Sequence, residues 1–169
     1  MQDHPPKPVR LVVETRLGAG LSRQEIEKRL SRMMTELKLQ GAELSVVLTG
    51  DDQIRELNRF YRKKDRPTDV LAFPMEECPP DVPRLLGDVI VSIPTARAQA
   101  VQAGRPPIDE VTMLLAHGVL HLLGWDHDTK AKDRAMRRET DRLCEAAQKA
   151  RKSAVRGDQR RQRARRKLS

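Results

Sequence analysis

Apolar residues recur along the chain with two alternating periods. Short, β-branched apolar runs are typical of strands, and apolar positions three and four residues apart are typical of amphipathic helices. The pattern predicts strands at residues 10–14, 43–49, 69–73 and 86–93. It predicts helices at residues 22–38, about 51–61, 94–104, 108–123 and from about 129 onward. We therefore expect one α/β (α+β) domain, with a mixed sheet of about four strands packed with about five helices.

The most apolar helix follows the last strand. It begins after Pro107, with Asp109 and Glu110 in its first turn, where the helix dipole favours acidic side chains. Gly124 is placed to end it. The strand before it, at 86–93, is almost wholly apolar and is expected to be buried on both faces.

Charge divides the chain into two unequal parts. The formal net charge is +9. Residues 149–169 contain ten Lys or Arg and one acid, so this segment accounts for the whole net charge and residues 1–148 are formally neutral. We expect a hydrolase domain over residues 1–148 and a basic, disordered tail over residues 149–169.

Several other classes of protein are disfavoured. No apolar stretch is long enough to span a bilayer, and the polar, proline-rich start does not resemble a secretory signal. The two cysteines, Cys78 and Cys144, do not form a C-x-x-C pair or suggest a disulfide framework. A cytoplasmic location is the expectation.

Three of the four histidines lie in the segment HGVLHLLGWDH, residues 117–127. His117 and His121 are four residues apart, so both imidazoles lie on one face of the predicted helix. Gly124 lets the chain turn and bring His127 round as a third ligand. Three neutral histidines without a fourth protein ligand are typical of a catalytic zinc site, so we predict one Zn²⁺ per chain. Isolated histidines of the core or surface are the alternative, and we assign that interpretation to His4.

The histidine spacing is also that of the metzincin metalloproteases, H-E-x-x-H-x-x-G-x-x-H. A protease needs the glutamate after the first histidine as its general base. Here that position is Gly118, which has no side chain. A zinc metalloprotease or amidase is therefore the alternative function, and a reaction with a better leaving group is favoured.

Three neighbours of the histidines have open roles. Either Asp126 or Asp128 can accept a hydrogen bond from an imidazole, or cap the last helix, and capping is preferred for Asp128. Trp125 can line the site, stack on a base or pack in the core.

Together with YRKKDRPTDVLAFP (residues 61–74) and LGDVIVS (residues 86–92), the histidine segment resembles the YbeY family of bacterial endoribonucleases. The resemblance extends from about residue 44 to residue 139. It implies a single-strand-specific, metal-dependent endoribonuclease of rRNA maturation at the 16S 3′ end and of ribosome quality control. It also implies that the three histidines bind zinc, that Arg62 is catalytic, and that single-stranded rRNA and the ribosome or its small subunit are partners.

The chain departs from the usual family pattern at Ala72 and Trp125, where serine and tyrosine are common. Both changes leave the histidines and Arg62 intact. A guanidinium at Arg62 suits the chemistry, because it can hold two phosphate oxygens at once. The alternative is that Arg62, Lys63, Lys64 and Arg66 form a solvated basic loop.

The chain has only four Phe, Tyr or Trp residues, so we expect no broad stacking platform for bases. RNA binding should then depend on phosphate contacts and on salt. The basic tail can supply such contacts or merely solubilise the chain. A non-catalytic ribosome-assembly factor with a structural metal also remains possible, although the missing fourth ligand argues against it.

Overall fold

The computed structural model describes the backbone of residues 8–166 and the side chains of residues 8–149. Its strands are β1 (Val9–Val13), β2 (Glu43–Thr49), β3 (Val70–Pro74) and β4 (Leu85–Ser92). Its helices are α1 (Arg23–Glu36), α2 (Asp51–Arg62), α3 (Ile93–Ala103), α4 (Pro107–Leu122) and α5 (Lys130–Arg166). The predicted α/β domain with four strands and five helices is confirmed. The predicted tail, residues 149–169, begins within α5 and beyond Lys149 lies outside the residues whose side chains are described.

The sheet is mixed, with strand order β1-β2-β4-β3. Strands β1, β2 and β4 are parallel, whereas β3 runs antiparallel to β4. Strand β4 is therefore internal, and all of its residues from Val89 to Ser92 are buried. This confirms the prediction that the apolar run after Asp88 is covered on both faces.

Helices cover both faces of the sheet. Alternate residues of β2, from Leu44 to Leu48, face the main core together with residues of α1, α3 and α4. On the opposite face Ile54 of α2 packs with Leu71 and Ile90 in a smaller cluster. Helix α5 lies outside α1 and α4 and contacts both. Helix α4 is thus enclosed between the sheet and α5, and this location determines which of its faces can carry functional groups.

A buried arginine ties α1 to the first turns of α4. Arg29 is 1% exposed, and its guanidinium donates hydrogen bonds to Glu25 at 3.2 Å, Asp109 at 2.9 Å and Thr112 at 3.0 Å. A buried charge is tolerated only when it is paired and hydrogen-bonded in this way. Asp109 is expected in the first turn of α4 because the helix dipole favours an acidic side chain there. It also neutralises Arg29 and so fixes the orientation of α4.

Within the described residues, no helix is both long enough and apolar enough to cross a membrane.

Gly118 allows α4 to approach the sheet closely. A Cβ at this position would lie 2.5 Å from Val89 Cγ1 and 3.2 Å from Val89 Cγ2. Carbon atoms in contact are normally about 3.5–4.0 Å apart. Any side chain at residue 118 would therefore push α4 away from β4.

We predict that Gly118→Ala destabilises the fold. Alanine has the higher helix propensity by about 1 kcal/mol, but overpacking a tight core contact costs about 1–3 kcal/mol. Because the whole helix must also shift, the overpacking cost should exceed the gain in helix propensity. We expect a net loss of about 1–2 kcal/mol in the free energy of unfolding, measured by urea denaturation. In Gly118→Ala/Val89→Ala the loss should be smaller than the sum of the two single losses, because the clashing methyl groups are gone. Additive losses, or a stabilised Gly118→Ala variant, would contradict the close approach.

Candidate active site

Two histidines converge on the face of α4 that the sheet leaves free. The Nε2 atoms of His117 and His121 are 3.0 Å apart, and their ring centroids are separated by 4.6 Å. His127 joins them from the following loop, with ring centroids 5.9 Å from His117 and 5.4 Å from His121. One ligand nitrogen from each residue lies within 4.8 Å of the others. The structure therefore brings together the three histidines that the spacing singles out.

The loop that returns His127 begins with a Schellman motif. Gly124 has a φ of +91°, which favours glycine. Its N–H donates to the carbonyl of His121, and the N–H of Trp125 donates to the carbonyl of Leu120, both at 3.0 Å. These two bonds satisfy the last carbonyls of α4 and reverse the chain. The predicted role of Gly124 in ending the helix has this physical basis.

Burial lowers the pKa of both helix histidines. It is the main cause of the lowered pKa of His117, and the nearby His121 and His127 lower it further, whereas Asp69 and Asp133 oppose the change. Burial also lowers the pKa of His121, followed by the effect of His127. A lowered histidine pKa favours the neutral imidazole at neutral pH, which is the form that binds metals. The donor set, three half-buried or exposed imidazoles, fits a borderline ion such as Zn²⁺.

Arg62 is the last residue of α2, in another part of the sequence. Its positive charge is one of the smaller causes of the lowered pKa of His121, so its guanidinium lies within electrostatic reach of that histidine. Arg55 of the same helix pairs with Asp65 at 2.8 Å. Among residues 8–149 Arg62 has no such carboxylate within 4 Å, so its charge remains free for an anion.

The position of the protease base is closed by packing as well as by sequence. Gly118 is buried and faces Val89 of β4, away from open space. A glutamate could not be accommodated there without displacing the helix. This is a structural argument against the metzincin-like alternative.

The residues around His127 have defined roles. Asp126 accepts hydrogen bonds from Lys132 Nζ at 3.1 Å and from the N–H of Asp128 at 3.3 Å, and the Lys132 bond is the main cause of its lowered pKa. Thr129 Oγ1 accepts from the N–H of Lys132 and so caps α5. The preferred capping role of Asp128 is therefore wrong, since the hydroxyl one residue later performs it. Trp125 is 37% exposed, which excludes the core-packing interpretation.

A cavity of about 520 Å³ opens beside His117 and His127. Met113 of α4 and Met136 of α5 line it, and Asp133 is also part of its wall. Asp133 pairs with Arg137 at 3.0 Å. No sequence pattern predicts this cavity, because its walls come together only where α5 packs against α4.

Comparisons with known proteins identify one family. A family model described as "Endoribonuclease YbeY" matches residues 15–148. Proteins named "Endoribonuclease YbeY" are 40% identical in Persephonella marina over 126 residues, covering 73% of this chain and 82% of the relative. The protein of the same name in Aquifex aeolicus is 44% identical over 119 residues, which cover 70% of this chain and 79% of the relative. The solution structure of a Thermotoga maritima protein has a TM-score of 0.62 and 27% identity, covering 86% of this chain and 93% of that one.

We predict that the purified protein holds about one zinc ion per chain and that His121→Ala loses it. Removing one of three ligands leaves too few donors to retain the ion. Elemental analysis after gel filtration measures the content. The matched control is His4→Ala, which removes the one histidine outside the segment of residues 117–127 and should keep full metal content. A fully loaded His121→Ala variant would remove His121 from the site.

Proposed function

Because the chain belongs to the YbeY endoribonuclease family, we propose that it cleaves single-stranded RNA with a zinc ion held by His117, His121 and His127. The family makes it a hydrolase that acts on RNA. The observation that carries the proposal is the convergence of three imidazoles beside the free charge of Arg62. One ion with an open coordination position would supply an activated water and would polarise the phosphate.

The protein's own contribution is to position and neutralise charge. The three histidines would hold the ion at the end of α4, where the Schellman turn reverses the chain and brings His127 towards the other two. As a phosphodiester is cleaved, negative charge grows on its non-bridging oxygens. The Arg62 guanidinium can donate two hydrogen bonds to these oxygens.

We place the substrate in ribosomal RNA, at the 3′ end of the 16S molecule, with the small ribosomal subunit as the partner and the cytoplasm as the location. Family membership supports this choice. The near-neutral charge of residues 1–148 supports it too, because a domain with little net charge needs a partner or a tail to concentrate it on RNA.

Two alternatives are separated by one experiment. Zinc-loaded protein is incubated with a single-stranded RNA, with the same RNA in a duplex, and with casein. The proposal expects cleavage of the single strand alone. Cleavage of casein would favour a protease despite Gly118, and inertness towards all three would favour a non-catalytic assembly factor.

We predict that Arg62→Ala keeps the fold and the metal but lowers turnover about 10²- to 10³-fold, the usual effect of losing one charge-stabilising donor. Arg62→Lys should recover little, because the planar fork is lost. Arg59→Ala is the matched control, since it removes an exposed cation from the same last turn. Turnover of single-stranded RNA at saturation is the measurement. Equal turnover in Arg62→Ala and Arg59→Ala would contradict a catalytic role and support the alternative that Arg62 belongs to a solvated basic loop.

We predict that deletion of residues 150–169 leaves the domain folded and zinc-loaded, because the buried Ala147 that packs α5 is retained. The deletion removes nine basic residues. RNA affinity should fall, and the slope of log affinity against log salt should decrease by about 0.7 for each lost phosphate contact. Cleavage at saturating RNA should be nearly unchanged. An identical salt slope with and without the segment would show that the tail does not contact RNA.

A further inference from the structure

Three of the four Phe, Tyr and Trp residues of the chain form one cluster on the surface. Phe60 and Tyr61, in the last turn of α2, are 69% and 59% exposed, and Phe73 of β3 lies beside them. We name these three side chains the aromatic patch. Large aromatic side chains are normally buried by folding, so two exposed neighbours in a chain with so few aromatics indicate a contact surface.

The rings of the aromatic patch support one another. The Phe60 and Tyr61 centroids are 4.9 Å apart at an interplanar angle of 76°, and those of Tyr61 and Phe73 are 4.9 Å apart at 54°. Phe73 also packs against the buried cluster of Ile54, Leu71 and Ile90. The patch is therefore anchored to the sheet through Phe73, while the two outer rings remain accessible.

Cations surround the aromatic patch. Lys63 Nζ lies 5.9 Å from the centroid of the Phe60 ring. Arg62 and Lys64 are also exposed. The one acid between residues 60 and 66 is Asp65, whose charge is neutralised by Arg55. The surface thus combines flat apolar rings with net positive charge.

This combination favours a particular occupant. A single-stranded nucleic acid offers unpaired bases that stack on aromatic rings and phosphates that attract cations. A duplex conceals the base faces, and an apolar protein surface would gain nothing from the cations. The aromatic patch also adjoins a residue of the proposed active site. Tyr61 directly precedes Arg62, whose charge contributes to the lowered pKa of His121. Strand β3 lies between the two regions: its Val70 and Ala72 pack against the core that contains α4, and Phe73 packs on the opposite face with Ile54 of α2.

We propose that Phe60 and Tyr61 form a base-stacking platform that holds an unpaired stretch of nucleic acid beside the histidine cluster. The proposal rests on the proposed function and deepens it, because it assigns the preference for single strands to two side chains. It is compatible with the expectation that the chain has no broad stacking platform, because a platform for one or two bases needs only two rings.

The test compares two labelled 12-nucleotide deoxy strands of equal charge, one of adenosines and one abasic, by fluorescence anisotropy with the zinc-loaded full-length protein. Deoxy strands lack the 2′-hydroxyl that distinguishes RNA from DNA. Gel electrophoresis after each titration verifies that the strands are intact, so binding is measured apart from cleavage. The variants are Phe60→Ala, Tyr61→Leu and Tyr61→Phe. Val101→Ala is the matched control, because Val101 is exposed on α3 and lies outside the patch. Circular dichroism verifies the fold of each variant.

Phe60→Ala and Tyr61→Leu should each weaken binding of the adenosine strand about 5- to 100-fold, the range measured for loss of one stacked base. Binding of the abasic strand should not change. Tyr61→Phe and Val101→Ala should bind both strands like the original protein. In cleavage of a single-stranded RNA, KM should rise for the first two variants while kcat is retained.

Two results would overturn the platform. The first is unchanged binding of the adenosine strand by Phe60→Ala and Tyr61→Leu, which would leave the patch to a protein partner. The second is equal weakening of both strands, which would mean that the rings act through the phosphate contacts or the fold. Absence of RNA cleavage by the original protein would refute the proposed function alone, because the binding comparison still decides on the platform.

Discussion

Helix α4 must press one side against the sheet and present two imidazoles on another, and the contact between Gly118 and Val89 makes both possible. The absence of a side chain at residue 118 lets the helix lie close to β4. The histidine before it and the one three residues after it then lie together on one half-buried flank of the helix. The same contact closes the position where a protease would carry its base. This one packing contact therefore determines where the histidines lie on α4 and argues against a protease that needs a glutamate at residue 118.

Two arginines illustrate how surroundings assign a role to one side-chain type. Arg29 is buried and donates hydrogen bonds to two carboxylates and a hydroxyl, so its charge stabilises the packing of α1 against α4. Arg62 is exposed and lacks a carboxylate partner within the described part of the chain, yet its charge is felt at His121. A guanidinium in the first environment stabilises a fold, and one in the second can bind an anion.

Local patterns predicted most of the architecture. The 3.6-residue period of α4, the apolar run of β4 and the glycine after α4 specify elements whose causes lie within a few residues. The spacing of the histidines predicted their convergence for the same reason. The partner of Asp109, the cavity beside His117 and the exposure of Phe60 could not be predicted, because each depends on segments distant in sequence that only the fold brings together. The number of aromatic residues likewise carries no information about where their rings cluster.

The three histidines span only eleven residues, whereas Arg62 and His121 are separated by 59 positions along the chain. The entropy lost on closing a loop grows with the logarithm of its length, so the longer closure costs about 1.6 kcal/mol more than the shorter one. The turn that brings the imidazoles together depends on contacts within α4 and the loop after it, whereas the position of Arg62 depends on the packing of α2 against the sheet. Under the proposed function, the set of metal ligands therefore costs less chain entropy to assemble than the complete active site with Arg62.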